Sequence, residues 1–154
     1  MTGRIEKRLD ELGIVLPPAN APFASFQPVV IVNGLAFVAG QPPVDGDKKP
    51  YVGRLGIELT IEQGQAATRQ SALNVIAQLK AALDGDLDRV VRCVKLGVFV
   101  NSGPDFKGQP QTANGASDLV VQIWGEAGRH ARFAAGTIGP MDFPCSVEAI
   151  FQVS

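Results

Sequence analysis

Val90-Val91-Arg92-Cys93-Val94-Lys95-Leu96-Gly97-Val98-Phe99-Val100 is the stretch on which the reading of the fold turns. Branched and aromatic residues dominate it, which suits a pleated surface better than a helix. Alternation puts Val90, Val94, Leu96, Val98 and Val100 on one face, with Arg92 breaking that face near its start. The other face carries Val91, Cys93, Gly97 and Phe99 and is itself partly apolar. A strand apolar on both sides needs cover on both sides. In a two-layer protein, helices supply one cover and a second chain is expected to supply the other.

Upstream of this strand, Thr60-Ile61-Glu62-Gln63 has a capping-box pattern. Ala67, Ser71, Val75, Leu79 and Leu83 then recur every fourth residue, predicting an amphipathic helix that Gly85 closes. Before it, Pro28 to Val32 and Leu35 to Ala39 flank Asn33-Gly34, the strongest short hairpin signal. Tyr51 to Leu59 is read as a further short strand. Downstream, Ala116 to Gly125 is predicted as a second helix, and Ala131 to Ile138 and Ser146 to Val153 as strands. At the N-terminus, Ile5, Leu9 and Leu12 fall at helical spacing, and Leu16-Pro17-Pro18-Ala19-Asn20-Ala21-Pro22 cannot be regular structure. Residues 1–22 are therefore expected to be a helix and Pro-rich lead-in, and residues 23–154 one domain. The layer rule gives an α+β fold: a single mixed sheet with two helices on one face.

The 154 residues suffice for one self-supporting core. A net charge of −1 provides no general field for nucleic acid or an anionic membrane. The charged residues among Thr2 to Leu12 do not make a signal peptide, and no apolar run approaches a spanning helix, so a cytoplasmic setting is expected. Two cysteines and one histidine make no metal or disulfide pattern. No metal or cofactor is expected. His130 alone cannot support ribonuclease chemistry of the paired-histidine kind, and no basic stripe with interleaved aromatics is present, so no nucleic-acid partner is expected.

Asn33-Gly34-Leu35-Ala36-Phe37-Val38-Ala39-Gly40-Gln41, Ala72-Leu73-Asn74, Val98-Phe99-Val100-Asn101 with Asp105-Phe106, His130-Ala131-Arg132, Gly139-Pro140 and Val147-Glu148-Ala149 occur in an order and spacing that resemble the Rid/YjgF family. Its founding members are the reactive intermediate deaminases, and older usage calls the family L-PSP endoribonucleases. The Leu16-Pro17-Pro18 lead-in, Asn114 to Leu119 and Gly128 to Arg132 point to a less characterised branch with an added N-terminal helix. The resemblance implies a chorismate-mutase-like (YjgF-like) fold and a homotrimer with sites in clefts between subunits. It also implies cofactor-independent hydrolysis of enamines or imines to 2-keto acids and ammonia.

Arg132 taken alone reads as an exposed strand-end charge, and Glu148 as a solvated charge on an alternating strand. The resemblance makes Arg132 the clamp for a substrate carboxylate and Glu148 the residue that holds the attacking water. Arg129 is the reserve for Arg132, because the run from Arg132 to Pro140 is one residue shorter than expected. The resemblance also places Phe26, Gly40 and Gln41 near the ligand. Asn114 is read as the cap of the second helix and, beyond that, as a ligand contact. Phe26 stands where many deaminases carry tyrosine, and Ala134 where cysteine is common. These two departures favour the alternative, a non-catalytic binder of small carboxylates. Cys93 and Cys145 are expected to be buried small hydrophobes.

Overall fold

The computed structural model describes residues 2–22 and 24–154; Met1 and Phe23, the first residues of the two expected segments, lie outside the described residues. The chain starts with α1 (Arg4–Glu11), which buries Ile5 and Leu9, one turn apart. Gly3 at its N-cap has no side chain with which to cap. Asp88, far along the chain, does this instead. Its carboxylate oxygens accept from the backbone N–H groups of Arg4 and Ile5, each at 2.8 Å. Two free donors of the first turn are thereby satisfied, and the helix is tied to the body.

These bonds, Ile5 first and Arg4 second, hold the Asp88 carboxyl below its ordinary pKa. A carboxylate lowered in the folded state contributes stability that is full above the ordinary carboxylate pKa. That contribution is lost as pH falls through the lowered value. Asp88→Ala is expected to raise hydrogen exchange at the amides of α1 and cost about 1 kcal/mol, as cap removals do. In the unaltered protein, α1 should lose protection on acidification while the core helices keep theirs. Hydrogen exchange measured across a pH series checks both.

β1 (Val29–Val32) and β2 (Leu35–Gln41) form the expected hairpin. Asn33 and Gly34 take φ of 50° and 74°, the paired left-handed conformations of a tight turn. Tyr51 to Leu59 is not a strand. It is a run of turns in which Leu55 makes single bridges to Leu59 and Ser102, and Gly53 and Gly56, at φ 119° and 80°, interrupt the pleat. α2 (Ile61–Ala82) begins at Thr60 with both bonds of the capping box in place. Its Asn74 donates to the Pro42 and Val44 carbonyls and anchors the segment that leaves β2.

β3 (Val90–Asn101) keeps Leu96, Val98 and Val100 on the core face as alternation requires. Register irregularities between Val90 and Arg92 and between Cys93 and Lys95 change the face of the earlier residues. Cys93, expected on the second face, lies fully buried in the core beside the helices, because an extra residue in a strand reverses the alternation beyond it. α3 (Gln109–Trp124) starts seven residues earlier than the predicted Ala116. Pro110 is compatible with a first helical turn, and Asn114 lies inside the helix, so Asn114 is not its cap.

β4 (Ala131–Thr137) and β5 (Cys145–Val153) complete a five-stranded sheet of order β1-β2-β5-β3-β4. All pairs are antiparallel except β3–β4, which α3 joins as a crossover. α2 and α3 cover one face, closing over Ala36, Val38, Val147, Phe151 and the core side of β3. Small residues let the helices approach closely: an added Cβ on Gly115 would stand 1.9 Å from the Gln65 carbonyl oxygen. The opposite face carries Val30, Phe37 and Phe133, all exposed, and the half-buried Phe99 and Ile150. Among the described residues, no helix is long and apolar enough to cross a membrane.

Candidate functional site

Arg132 sits on β4, an edge strand, in register with Leu96 of β3, which pairs in turn with Ala149 of β5. Leu96 and Ala149 are core residues, so Arg132 projects to the helix side of the sheet. There Nη1 donates to Asn114 Oδ1 (2.7 Å) and Ser117 Oγ (3.2 Å), and Nη2 donates to the Pro110 carbonyl (3.3 Å). Pro110, Asn114 and Ser117 are four and three residues apart, one face of α3 turned to the strand. A guanidinium has five N–H donors. Two of them, Nε–H and one on Nη2, have no acceptor among the described residues, and the side chain is exposed.

Glu148 alternates as predicted. Val147, Ala149, Phe151 and Val153 are buried, and Glu148 is exposed on the opposite face. It pairs with Gly97 of β3, which pairs with Phe133 of β4. A Cβ on Gly97 would stand 2.8 Å from both Cγ and Oε1 of Glu148, so the carboxylate arm lies across β3 in space only glycine leaves open. With Gln27, Phe37, Lys95 and Ile150, it lines a hollow of about 300 Å³. Arg132 and Glu148 therefore stand on opposite faces of the sheet, and one chain does not bring them together.

Phe26, Gly40 and Gln41 do meet, around a crevice of about 50 Å³ beside Gln78. Gln41 is buried, with its amide turned to the Ala39 carbonyl, so it serves the bulge at the end of β2. Gly40 also borders an apolar hollow of about 390 Å³, walled by Phe99, Ile138, Pro140, Met141 and Phe143 with Ser146 at its edge. Met141 and Asp142, both left-handed at φ 57° and 59°, make the short exit from β4. Consecutive non-glycine residues in that region are uncommon.

Arg129, the reserve for Arg132, pairs with Glu126 at 3.2 Å on the surface. Burial raises the Cys93 and Cys145 thiols to about 12, so neither is a thiolate near neutrality. Among the described residues, no cluster of three His, Cys, Asp or Glu could hold a metal. The residues that sequence reading missed are Ser117 and His130. Ser117 Oγ lies 2.9 Å from His130 Nε2, and His130 Nδ1 lies 2.7 Å from the Gly128 carbonyl oxygen. The available signal was the spacing of Asn114 and Ser117 on one helix and of His130 and Arg132, two residues apart, at the entry to β4.

A mixed sheet backed on one side by two helices, with hollows of small-molecule size on the other, defines an α+β protein of the chorismate-mutase-like kind. The family model "YjgF/chorismate mutase-like, putative endoribonuclease" matches residues 6–151. Protein TCP17 of Trypanosoma cruzi is 47% identical over 148 residues, 96% of this chain and 91% of that protein. The crystal structure of Atu1372 from Agrobacterium tumefaciens matches with a TM-score of 0.90 at 40% identity, over 97% of this chain and 92% of that one. A Shewanella oneidensis protein of the same endoribonuclease description matches at 0.93 and 35%, over 98% and 100%. Escherichia coli TdcF, solved with bound serine, shares the fold at 0.61 and 19% identity, over 90% and 94%. The chain belongs to the YjgF/chorismate mutase-like family.

Proposed function

We propose that this protein is a homotrimeric hydrolase of reactive 2-imino acids, acting in clefts between neighbouring copies. Water adds to the C=N carbon and ammonia leaves, so R–C(=NH)–COO⁻ and H₂O become R–CO–COO⁻ and NH₃. Arg132 holds the carboxylate and Glu148 holds and orients the water. The observation that carries this reading is the braced Arg132 guanidinium, with two uncommitted N–H donors at an exposed sheet edge. Such a fork suits a carboxylate and stays charged. The apolar face around Glu148 supports assembly, since a second copy would cover Val30, Phe37 and Phe133. Arg132 of one copy and Glu148 of another would then share one cleft. TdcF, on the same fold, holds an amino acid with a carboxylate of the kind proposed here.

The placement of Arg132 and Glu148 on opposite faces favours a second reading, a carboxylate binder without turnover. One experiment separates the two. Ammonia and keto-acid release are measured while a pyridoxal-phosphate enzyme generates 2-iminobutanoate, with and without the protein. Acceleration supports the hydrolase. Binding of 2-oxobutanoate without acceleration supports the binder, and light scattering giving the mass of a single chain overturns the shared cleft. Glu148→Gln should retain binding and lose at least about a hundredfold in turnover, the usual range for a missing base. Gly97→Ala should act in the same direction. Its methyl group would push on a flexible side chain and not on backbone, so the thermal midpoint should hardly change while turnover falls.

A further inference from the structure

We infer that His130, acting through Ser117, is a positioning residue for the Arg132 guanidinium. This rests on the reading of Arg132 as a carboxylate clamp. With a neutral imidazole, the chain of bonds has one consistent assignment of protons. The Gly128 carbonyl can only accept, so His130 Nδ1 carries a hydrogen and donates at 2.7 Å. In the neutral ring, Nε2 is then the acceptor, and the Ser117 hydroxyl must donate to it at 2.9 Å. With its hydrogen committed, Ser117 Oγ presents lone pairs, and Arg132 Nη1 donates to it at 3.2 Å. Asn114 Oδ1 takes the other Nη1 hydrogen. Burial first, and the adjacent Arg132 charge, keep the half-buried His130 below its ordinary pKa, which favours the neutral form this relay needs.

Without His130, the Ser117 hydroxyl is free to rotate and donate elsewhere, and the orientation of its lone pairs is no longer fixed. Without Ser117, Nη1 keeps only Asn114. In both cases the guanidinium gains freedom that it must give up again on binding a carboxylate. Arg132 has the reach to bind an anion without help. The relay adds a single orientation, with Nε–H and one Nη2–H left outward. His130 itself need touch no ligand, which separates its role from that of Arg132.

The test uses the full chain and two readouts. His130→Phe keeps the ring volume and removes both nitrogens; Ser117→Ala removes the link, and Ser117→Thr retains a hydroxyl. In ¹⁵N spectra of the guanidinium groups, the unaltered protein should show Arg132 Nη1 resolved by hindered rotation, assigned by its loss in Arg132→Lys. His130→Phe and Ser117→Ala should average that signal, and Ser117→Thr should retain it. Titration of 2-oxobutanoate should show affinity weakened roughly five- to tenfold in His130→Phe and Ser117→Ala, with recovery in Ser117→Thr. An unchanged Arg132 spectrum in both His130→Phe and Ser117→Ala overturns the inference, as does unchanged affinity alongside an averaged signal. If the unaltered protein does not bind 2-oxobutanoate, the clamp reading fails by itself, and the spectra still decide whether His130 positions Arg132. Should His130→Phe fail to fold, Ser117→Ala carries both measurements.

Discussion

Arg132→Ala is expected to weaken 2-oxobutanoate binding by roughly two orders of magnitude and to leave the fold and the proposed assembly intact. Each charge-assisted bond to a carboxylate contributes about 1.5–3 kcal/mol, and two such donors on Arg132 are uncommitted. Loss of both amounts to a factor of roughly a hundred or more. The cost to stability should be small. The side chain is exposed and pairs with no buried acid, and its partners Asn114, Ser117 and the Pro110 carbonyl lie at a surface that water can reach. Arg132→Lys should recover only part of the affinity, because an ammonium keeps the charge and lacks the planar fork. Calorimetric titration with circular dichroism on the same samples checks both halves. The opposite-face geometry adds a sharper expectation. If a cleft takes Arg132 from one copy and Glu148 from another, Arg132→Ala and Glu148→Gln chains, each inactive alone, should regain activity when mixed and reassembled. Random mixing restores about a quarter of the clefts. Absence of any recovery would overturn the shared cleft and remove one of the two residues from the site.

Gly115→Ala is expected to be among the most destabilising single-methyl changes in the chain. Helix propensity alone argues for the opposite sign, since alanine improves a helix interior by about 1 kcal/mol over glycine. Packing decides against it. The new Cβ would lie 1.9 Å from the Gln65 backbone oxygen and 2.5 Å from Thr68 Oγ1. A carbonyl in the second turn of α2 is held by the helix and cannot turn aside, so the two helices must part. Parting them strains the 2.8 Å bond from Thr68 Oγ1 to the Thr112 carbonyl and the 2.9 Å bond from Gln65 Nε2 to the Gln111 carbonyl. The net cost should be about 3 kcal/mol, lowering the thermal midpoint by roughly 6–12 °C for a domain of this size. A urea midpoint that falls at constant m-value would attribute the loss to the native state. An unchanged or higher midpoint would show that α2 and α3 are not held at this distance.

The same glycine explains why α3 was only half legible. Gln109-Pro110-Gln111-Thr112-Ala113-Asn114-Gly115 has weak helical preference, so its first two turns read as loop. They are helical because Thr112, Ala113 and Gly115 are small enough to let α3 rest on α2. With the helix start read at Ala116, Asn114 reads as a cap, and no local pattern signals its bond to Arg132. The long apolar run of β3 was plain, but its irregularities were not. Nothing local to Val91 to Val94 marks an extra residue, and the placement of Cys93 follows from how β5 pairs alongside. At the candidate site, Arg132 and Glu148 were identified as residues, but neither could be assigned a face relative to the other. That relation depends on strand order, which is a non-local property.

By itself, the sequence determined the features that depend on near neighbours along the chain. These are the Asn33-Gly34 hairpin, the Thr60 capping box, the length and buried face of α2, and the alternation that keeps Glu148 out of the core. Each rests on backbone sterics or periodicity within a few residues. Tertiary structure alone decided the rest. It put β5 between β2 and β3, lent Asp88 to α1 as a cap, set Arg132 and Glu148 on opposite faces, and joined His130 and Ser117 to Arg132. All of these are contacts between residues distant in sequence, selected by which apolar faces could be buried together, and no local pattern encodes them.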